Sequence, residues 1–307
     1  MWYNSVILKD KGVSSIKISP INYMGNKRRL IKKGLIDKFP KDINKFYDLF
    51  AGSCIVALNT NANKYIINDL DSNIYRIYDF FLNKEVDYIT INSNILDIIN
   101  EYDLPLFSTD SRRKGITDEL RDKYKQHYFR LRDDYNNTKD IYKLLTLQYY
   151  AMSRTMRFNS TGEFNMPFGN GYYIEDEYIT HYKNYIDLYD KRIQVFNKSY
   201  EEIQIDNDCN NFVYLDPPYQ GTIATYNENN KWNREDDFKL FEFCKKLDKD
   251  NIKFALSNIY FNKGIENIEL KKFVVENNFK EHYFDDFTYC SFGKGNSETI
   301  EVLITNY

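Results

Sequence analysis

The sequence predicts an α/β fold in which an open sheet is interrupted by a mainly helical insertion. Short apolar runs typical of strands occur before about residue 80 and again after about residue 197, whereas the apolar residues between them recur at helical spacing. Within this middle stretch, residues 112–157 carry a surplus of positive charge. We therefore expect a sheet domain made of residues 1–80 and 197–307, with a helical domain of residues 81–196 inserted into it.

The first part of the sheet domain forms a predicted β-α-β unit. The two strand-like runs are residues 45–50 and 65–69, and each ends in an aspartate or a turn that contains glycine. Between them, apolar residues from Ile55 to Asn59 predict a short helix. After the insertion, strand-like runs resume at residues 212–215, 252–256 and 299–305, with helices expected at 234–249 and 266–277.

The insertion has no comparable strand-like runs, and two stretches have helical spacing. One runs from Ile141 to Met152 and the other from Tyr185 to Phe196. Between them, the stretch near 158–171, with Ser160, Thr161 and Gly162 near its start, predicts a hairpin or ordered loop.

The charge is unevenly distributed along the chain. The 307 residues carry a net charge of −3, which argues against a protein that coats nucleic acid indiscriminately. From Arg112 to Arg157, however, twelve lysines and arginines face six aspartates and glutamates. We therefore expect a local basic face on the insertion.

Several function classes lack their usual signals. The four cysteines and three histidines have no spacing typical of a disulfide framework or a zinc site. No apolar run approaches the roughly 18 residues of a membrane span. The first nineteen residues lack the pattern of a signal peptide. We expect a cytoplasmic protein that needs no metal and binds no membrane; the cysteines are Cys54, Cys209, Cys244 and Cys290.

The tetrapeptide Asp216, Pro217, Pro218, Tyr219 directly follows the strand-like run at 212–215. Ligands of open α/β sheets bind beyond the carboxyl ends of the strands, so this position favours a catalytic role. A turn that merely ends the strand is the alternative, since proline terminates strands and aspartate before proline favours turns.

The chemistry of the tetrapeptide suits a planar base that carries an exocyclic amine. Asp216 can accept a hydrogen bond from the amine, the prolines fix nearby backbone carbonyls as further acceptors, and Tyr219 offers a ring for stacking. Accepting the amine protons localises the nitrogen lone pair, which makes the amine a better nucleophile toward an electrophilic methyl group. The motif therefore predicts methyl transfer to such an amine.

A second half-site is expected at the ends of the first two strands. The run from Asp48 through Phe50 to Gly52 ends the first strand in a small-residue turn that a ligand can approach, and Asp69 follows the second strand. An ordinary strand-to-helix turn and a surface aspartate are the alternatives that these residues leave open. The chain lacks the G-x-G-x-x-G fingerprint, which argues against a nicotinamide dehydrogenase.

From about Ile21 onward the chain resembles the Dam-type family (D12 class, alpha-group) of DNA adenine N6-methyltransferases. Four motifs coincide in order: residues 23–27, residues 48–52, Asn68 with Asp69, and the tetrapeptide at 216–219. The resemblance implies a Rossmann-like S-adenosylmethionine-dependent methyltransferase sheet and S-adenosylmethionine as methyl donor. It implies that the donor is contacted by Tyr23, Lys27, Asp48, Phe50, Gly52, Asp69, Tyr200 and Asp216.

The stretch from Arg157 to Gly169 resembles the family's target-recognition hairpin. In GATC-specific members a basic residue beyond Pro-Phe-Gly reads a guanine, whereas Asn170 and Gly171 stand here, so the GATC context does not carry over. The resemblance implies DNA contacts by Arg154, Arg157, Asn159, Pro167 and Asn170. Two roles fit six further basic residues: they contact phosphates, or they form a solvated helix face. These residues are Arg112, Arg113, Lys114, Arg121, Lys123 and Arg130.

The sequence as a whole predicts a site-specific methyltransferase that acts on N6 of an adenine flipped out of double-stranded DNA. Methylation of cytosine N4 or of RNA is the nearest alternative, because both present an amine on a planar ring. A catalytically inactive DNA-binding or donor-sensing relative is the alternative from another class. A restriction endonuclease partner cannot be identified from the sequence.

Overall fold

The computed structural model describes residues 16–82, 86–106, 118–169, 173, 175–189, 193–208, 210–219, 232–262, 264–284, 288–289 and 297–307. Its strands are β1 (Lys45–Asp48), β2 (Lys64–Asn68), β3 (Ile193–Phe196), β4 (Phe212–Leu215), β5 (Lys253–Asn262), β6 (Ile265–Glu266), β7 (Lys280–Tyr283), β8 (Thr288–Tyr289) and β9 (Ser297–Thr305). Its helices are α1 (Arg28–Lys32), α2 (Ile55–Asn59), α3 (Ser72–Leu82), α4 (Tyr88–Glu101), α5 (Asp118–Thr138), α6 (Ile141–Tyr150), α7 (Glu175–Tyr189), α8 (Arg234–Lys249) and α9 (Ile268–Glu276).

One mixed sheet forms the centre of the molecule, with the strand order β3-β2-β1-β4-β5-β9-β7. The strands from β3 to β5 are parallel, and β9 lies antiparallel between β5 and β7. The short strands β6 and β8 pair with β5 and β9. This is the expected α/β fold, consistent with a Rossmann-like methyltransferase sheet.

The parallel strands are apolar on both faces because both faces of the sheet are covered. Side chains of β4 alternate between the two layers: Phe212 and Tyr214 pack on one side, and Val213 and Leu215 on the other. Helices α8 and α9 cover the second side, whereas α2, α3, α7 and the helices of the insertion share the first. Consequently the insertion packs on the same core as the sheet.

The prediction of a helix over 185–196 is wrong at its C-terminal end. Helix α7 ends at Tyr189, and residues Ile193–Phe196 form β3, which pairs in parallel with β2 at the edge of the sheet. In so short a run, apolar residues at positions 193, 195 and 196 fit both the helical period and the strand period. Pairing with β2 decides in favour of the strand. The sheet therefore includes residues before 197, and the stretch 81–196 does contain a strand.

The other predicted elements are confirmed, with small changes at their ends. Strand β1 ends two residues earlier than expected, at Asp48, and β5 extends to Asn262 because β9 pairs along most of its length. Helices α2 and α8 have the expected bounds. Among the described helices, none combines the length and apolar composition that crossing a membrane requires.

The parallel register brings three carboxylates to one edge of the sheet. Asp48 is the last residue of β1 and is paired with Ile67 of β2 and Tyr214 of β4. Asp69 directly follows β2, and Asp216 directly follows β4. All three therefore lie at the carboxyl end, where ligands of such sheets bind.

Candidate active site

A cavity of about 1180 Å³ opens at the carboxyl ends of β1, β2 and β4. Its walls come from both predicted domains, since the tip of the hairpin at 158–162 lines it together with the sheet. Residues expected to bind the donor and residues expected to act on the base share this one space, including Tyr23, Lys27, Asp48, Phe50, Gly52, Asp69, Tyr200, Asp216, Pro217, Pro218 and Tyr219.

Asp216 is held by donors on both carboxylate oxygens. Lys27 Nζ lies 2.7 Å from Oδ2, and the Tyr219 hydroxyl donates to Oδ1 at 2.8 Å. Burial raises the pKa of Asp216 above its ordinary value, and the charge of Lys27 opposes that shift. Pro217 is buried beside it. A carboxylate has about four lone-pair sites, so Asp216 retains sites for an incoming amine.

Gly52 lies in the turn that follows β1, close to the Tyr23 ring. Its φ of +49° lies in the left-handed region, and a Cβ there would stand 3.2 Å from Cδ1 of Tyr23. The Gly52 N–H donates to Asp69 Oδ2 at 2.8 Å, and its carbonyl accepts from the Tyr78 hydroxyl at 2.7 Å. Glycine therefore combines the turn conformation with close approach to the cavity.

Asp69 and Asp48 present two further carboxyl groups to the cavity. Asp69 accepts from the backbone N–H groups of Gly52 and Asp71, yet burial raises its pKa to about 6. Asp48 is 1% exposed, and neither of its carboxylate oxygens has a hydrogen-bond partner among the described residues. Burial and the charges of Asp216 and Asp69 raise the pKa of Asp48 well above its usual range.

Three aromatic side chains line one part of the cavity. The ring centroids of Phe50 and Tyr200 lie 5.2 Å apart, and Trp232 meets Phe50 edge-on at 5.8 Å. The Trp232 indole N–H donates to Asp237 at 2.6 Å, which orients the ring. The sequence analysis missed Trp232, for which the only available signal was its position just before the predicted helix at 234–249.

The expected hairpin is confirmed as an ordered loop closed by a bridge between Phe158 and Phe164. The Asn159 side chain holds the loop, because its Oδ1 accepts from the backbone N–H groups of Thr161 and Glu163 at 3.0 and 2.9 Å. Arg157 is braced by Asn165, whose Oδ1 accepts from Nε at 2.7 Å. Arg157 and Asn159, two of the residues expected to contact DNA, thus stabilise the hairpin itself.

The remaining expected DNA contacts lie in different surroundings. Arg154 donates to the Tyr178 hydroxyl. Pro167 lines a smaller cavity of about 340 Å³ with exposed Arg121 and Lys125 of α5. Lys123 pairs with Asp103 at 2.7 Å, and Arg130 lies over the Tyr102 ring. Arg112, Arg113, Lys114 and Asn170 lie outside the described residues.

Comparisons with known proteins agree with this geometry. Residues 23–291 match a family model described as D12 class N6 adenine-specific DNA methyltransferase. The chain is 32% identical over 309 residues to "Type II methyltransferase M.FokI" of Planomicrobium okeanokoites, covering 97% of this chain and 44% of that protein. It is 30% identical over 297 residues to "Modification methylase StsI" of Streptococcus sanguinis, covering 94% of this chain and 43% of that protein. It is 24% identical over 241 residues to the "DNA adenine methylase" of Escherichia coli (strain K12), covering 74% and 77% of the two chains. The chain thus spans less than half the length of the first two relatives.

Proposed function

Since the chain belongs to the D12 class N6 adenine-specific DNA methyltransferase family, we propose that it methylates N6 of an adenine extruded from double-stranded DNA. We propose S-adenosylmethionine as donor and a recognition sequence other than GATC. One observation supports this most strongly: Asp216 and the pocket around Gly52 and Asp69 open into the same cavity. A base and a donor could meet there. Such a substrate fits the cytoplasmic location expected from the sequence.

The residues around Gly52 fit S-adenosylmethionine. Asp69 offers carboxylate oxygens at the position where Rossmann-like folds bind ribose hydroxyls. Phe50, Tyr200 and Trp232 form aromatic walls that suit an adenine ring. The buried Asp48 carboxyl has no described hydrogen-bond partner and could accept from a polar group of the donor. When bound, the donor supplies an electrophilic methyl group on a sulfonium.

In the proposed reaction the chain's own residues orient the amine and remove a proton. Asp216 accepts a hydrogen bond from N6 and thereby localises its lone pair, and the Tyr219 ring stacks on the base, which is worth about 1–3 kcal/mol. This stacking offsets part of the few kcal/mol needed to extrude the base. Methyl transfer would form the bond from N6 to carbon as the carbon–sulfur bond of the sulfonium breaks, with its electron pair leaving on the thioether sulfur. N6 would then carry a positive charge and give up a proton, which Asp216 would accept.

The direct test is product analysis. Purified protein is incubated with isotopically labelled donor and a pool of duplex DNA of varied sequence, and the DNA is digested to nucleosides. We expect label in N6-methyladenine. Label in N4-methylcytosine, or in RNA offered in parallel, would instead support the alternative substrates. Calorimetric binding of donor and DNA without any labelled product would support a non-catalytic protein.

Donor affinity should depend on pH through Asp69. Its pKa of about 6 means that it loses its negative charge in mildly acidic solution, and with it one acceptor for the ribose. We expect the affinity for S-adenosylhomocysteine, measured by calorimetry, to fall by up to about tenfold per pH unit below about pH 6. Asp69→Asn should bind weakly at every pH. Wild-type affinity that stays constant from about pH 5 to about pH 8 would contradict this role.

Acid unfolding through Asp69 does not explain such a loss. The pKa of this group in the folded protein lies above its ordinary value of 3.8, so the ionised form is disfavoured by folding. Its contribution to the free energy of unfolding therefore increases as pH falls from about 6 toward 3.8. Weaker binding in that range would reflect the site rather than this group's effect on folding.

Arg121 and Lys125 are expected to contact DNA phosphates beside Pro167. Each phosphate contact removed should reduce the slope of log affinity against log salt by about 0.9. We expect the double variant Arg121→Ala/Lys125→Ala to weaken binding to all duplexes alike. The slope of log affinity against log salt should fall by nearly twice the amount expected for one phosphate contact. Lys123→Ala is the matched control, because Lys123 already pairs with Asp103. Equal effects of the control and the double variant would exclude a specific phosphate groove here.

A further inference from the structure

The Lys27 ammonium is paired with Asp216 in the interior of the protein rather than left free for the donor. Lys27 is 5% exposed, and its Nζ lies 2.7 Å from Asp216 Oδ2 and donates to the Gly25 carbonyl at 3.1 Å. The same nitrogen lies 5.1 Å from the centroid of the Tyr219 ring. Lys27 thus contacts the groups expected to act on the base.

A second carboxyl, Glu301 of β9, lines the same cavity. It is 5% exposed. Lys27 favours its ionisation, whereas burial and Asp216 oppose it. One ammonium therefore shares the cavity with two carboxyl groups, those of Asp216 and Glu301.

These charges have opposite effects on the proposed reaction. A buried carboxyl near other acids tends to hold a proton, and a protonated Asp216 would be a poor acceptor for N6. Lys27 opposes that tendency, but its positive charge disfavours the positive charge that develops on N6. A second carboxylate would offset it, because Lys27, Asp216 and Glu301 together carry one net negative charge when all are ionised.

We propose that Lys27 is a positioning residue that holds Asp216 in its ionised form, and that Glu301 offsets the charge of Lys27 when N6 becomes cationic. This inference deepens the proposed function and rests on it. Other titratable or charged groups interact electrostatically with Lys27, Asp216 or Glu301. They are Asp48 of β1, Tyr214 of β4, Tyr219 after β4, and Arg29 and Lys33 at α1.

The first experiment follows Asp216 directly in the donor-free protein. Aspartate carbons labelled with ¹³C are titrated by NMR, and the Asp216 signal is assigned as the one lost in Asp216→Asn. We expect Lys27→Gln to raise the pKa of Asp216 by at least about one unit and Glu301→Gln to lower it by a smaller amount. Lys32→Gln, an exposed change of equal charge on α1, should leave it unchanged. An unchanged pKa of Asp216 in Lys27→Gln would overturn the proposal, even if no methyl transfer were ever observed.

The second experiment separates this role from donor binding. In single-turnover assays at saturating donor, Lys27→Gln should lose at least about tenfold in rate near neutral pH and recover at higher pH. Lys27→Arg should retain most of the rate. Glu301→Gln should lower the maximal rate while its acid limb moves to lower pH. If Lys27→Gln instead weakens S-adenosylhomocysteine binding and leaves the pH profile unchanged, Lys27 is a donor contact and the proposal fails. A protein that transfers no methyl group to any nucleic acid would refute the proposed function alone, because the NMR result stands apart from it.

Discussion

Replacement of Asp216 by alanine is expected to lower the rate of methyl transfer by at least about two decades while donor affinity changes little. The physical reason is that this carboxylate is the group that we propose to accept a hydrogen bond from N6 and so to localise its lone pair. It is already aligned, since Lys27 and the Tyr219 hydroxyl fix both of its oxygens at 2.7 and 2.8 Å. The described hydrogen bonds of Gly52 and Asp69, in the proposed donor pocket, do not involve the carboxylate that Asp216→Ala removes.

The measurement is a single-turnover rate at saturating donor, together with a calorimetric titration of S-adenosylhomocysteine. Asp206→Ala is a suitable control, because Asp206 is an exposed aspartate that pairs with Lys45 at the beginning of β1, away from the cavity. Thermal unfolding of Asp216→Ala shows whether the fold is intact, which matters because the change removes the carboxylate that pairs with the buried Lys27 ammonium. A wild-type rate in this variant would exclude the proposed role of Asp216.

The positions of the three acidic groups could be predicted because they depend on local signals. Each of the three strands β1, β2 and β4 is a short apolar run with an aspartate at or just beyond its end, and parallel strands bring such ends together. The same signals predicted α2 and α8 with the bounds that the structure has. Where apolar period and turn residues decide the local structure, the sequence was sufficient.

Other parts depend on contacts between distant segments, and no local signal reveals them. Lys27 belongs to a motif that the resemblance assigns to the donor, yet folding pairs its ammonium with Asp216. The expected DNA contact Asn159 uses its side chain to hold the hairpin, a role that follows from the backbone of the loop. The sequence of strand β3 fits a helix because the run is short, and only its pairing with β2 distinguishes a strand from a helix.

Gly169 is expected to tolerate no side chain, and this position gives the largest predicted effect on stability. A Cβ there would stand 2.4 Å from Met152 Cα, 2.6 Å from Met152 N and 2.7 Å from the Ala151 carbonyl oxygen. All three atoms belong to the backbone, so no side-chain rotation relieves the contact. The close approach exists because residues 167–169 run beside the end of α6: Gly169 N–H donates to the Tyr150 carbonyl at 2.8 Å, and Met152 N–H donates to the Pro167 carbonyl at 2.9 Å.

We therefore expect Gly169→Ala to lower the free energy of unfolding by about 3 kcal/mol, at the upper end for overpacking, and to weaken DNA binding by displacing the hairpin from α6. Donor affinity should persist in the folded fraction, because Gly52 and Asp69 lie in the turns that follow β1 and β2 rather than in the hairpin. Met152→Ala is the matched control, since that side chain is 50% exposed and its loss should cost no more than about 0.5 kcal/mol. If the backbone is the obstacle, adding Met152→Ala to Gly169→Ala should not restore the free energy of unfolding. A double variant with wild-type stability would show that the methionine side chain, and not the close backbone approach, restricts this position to glycine.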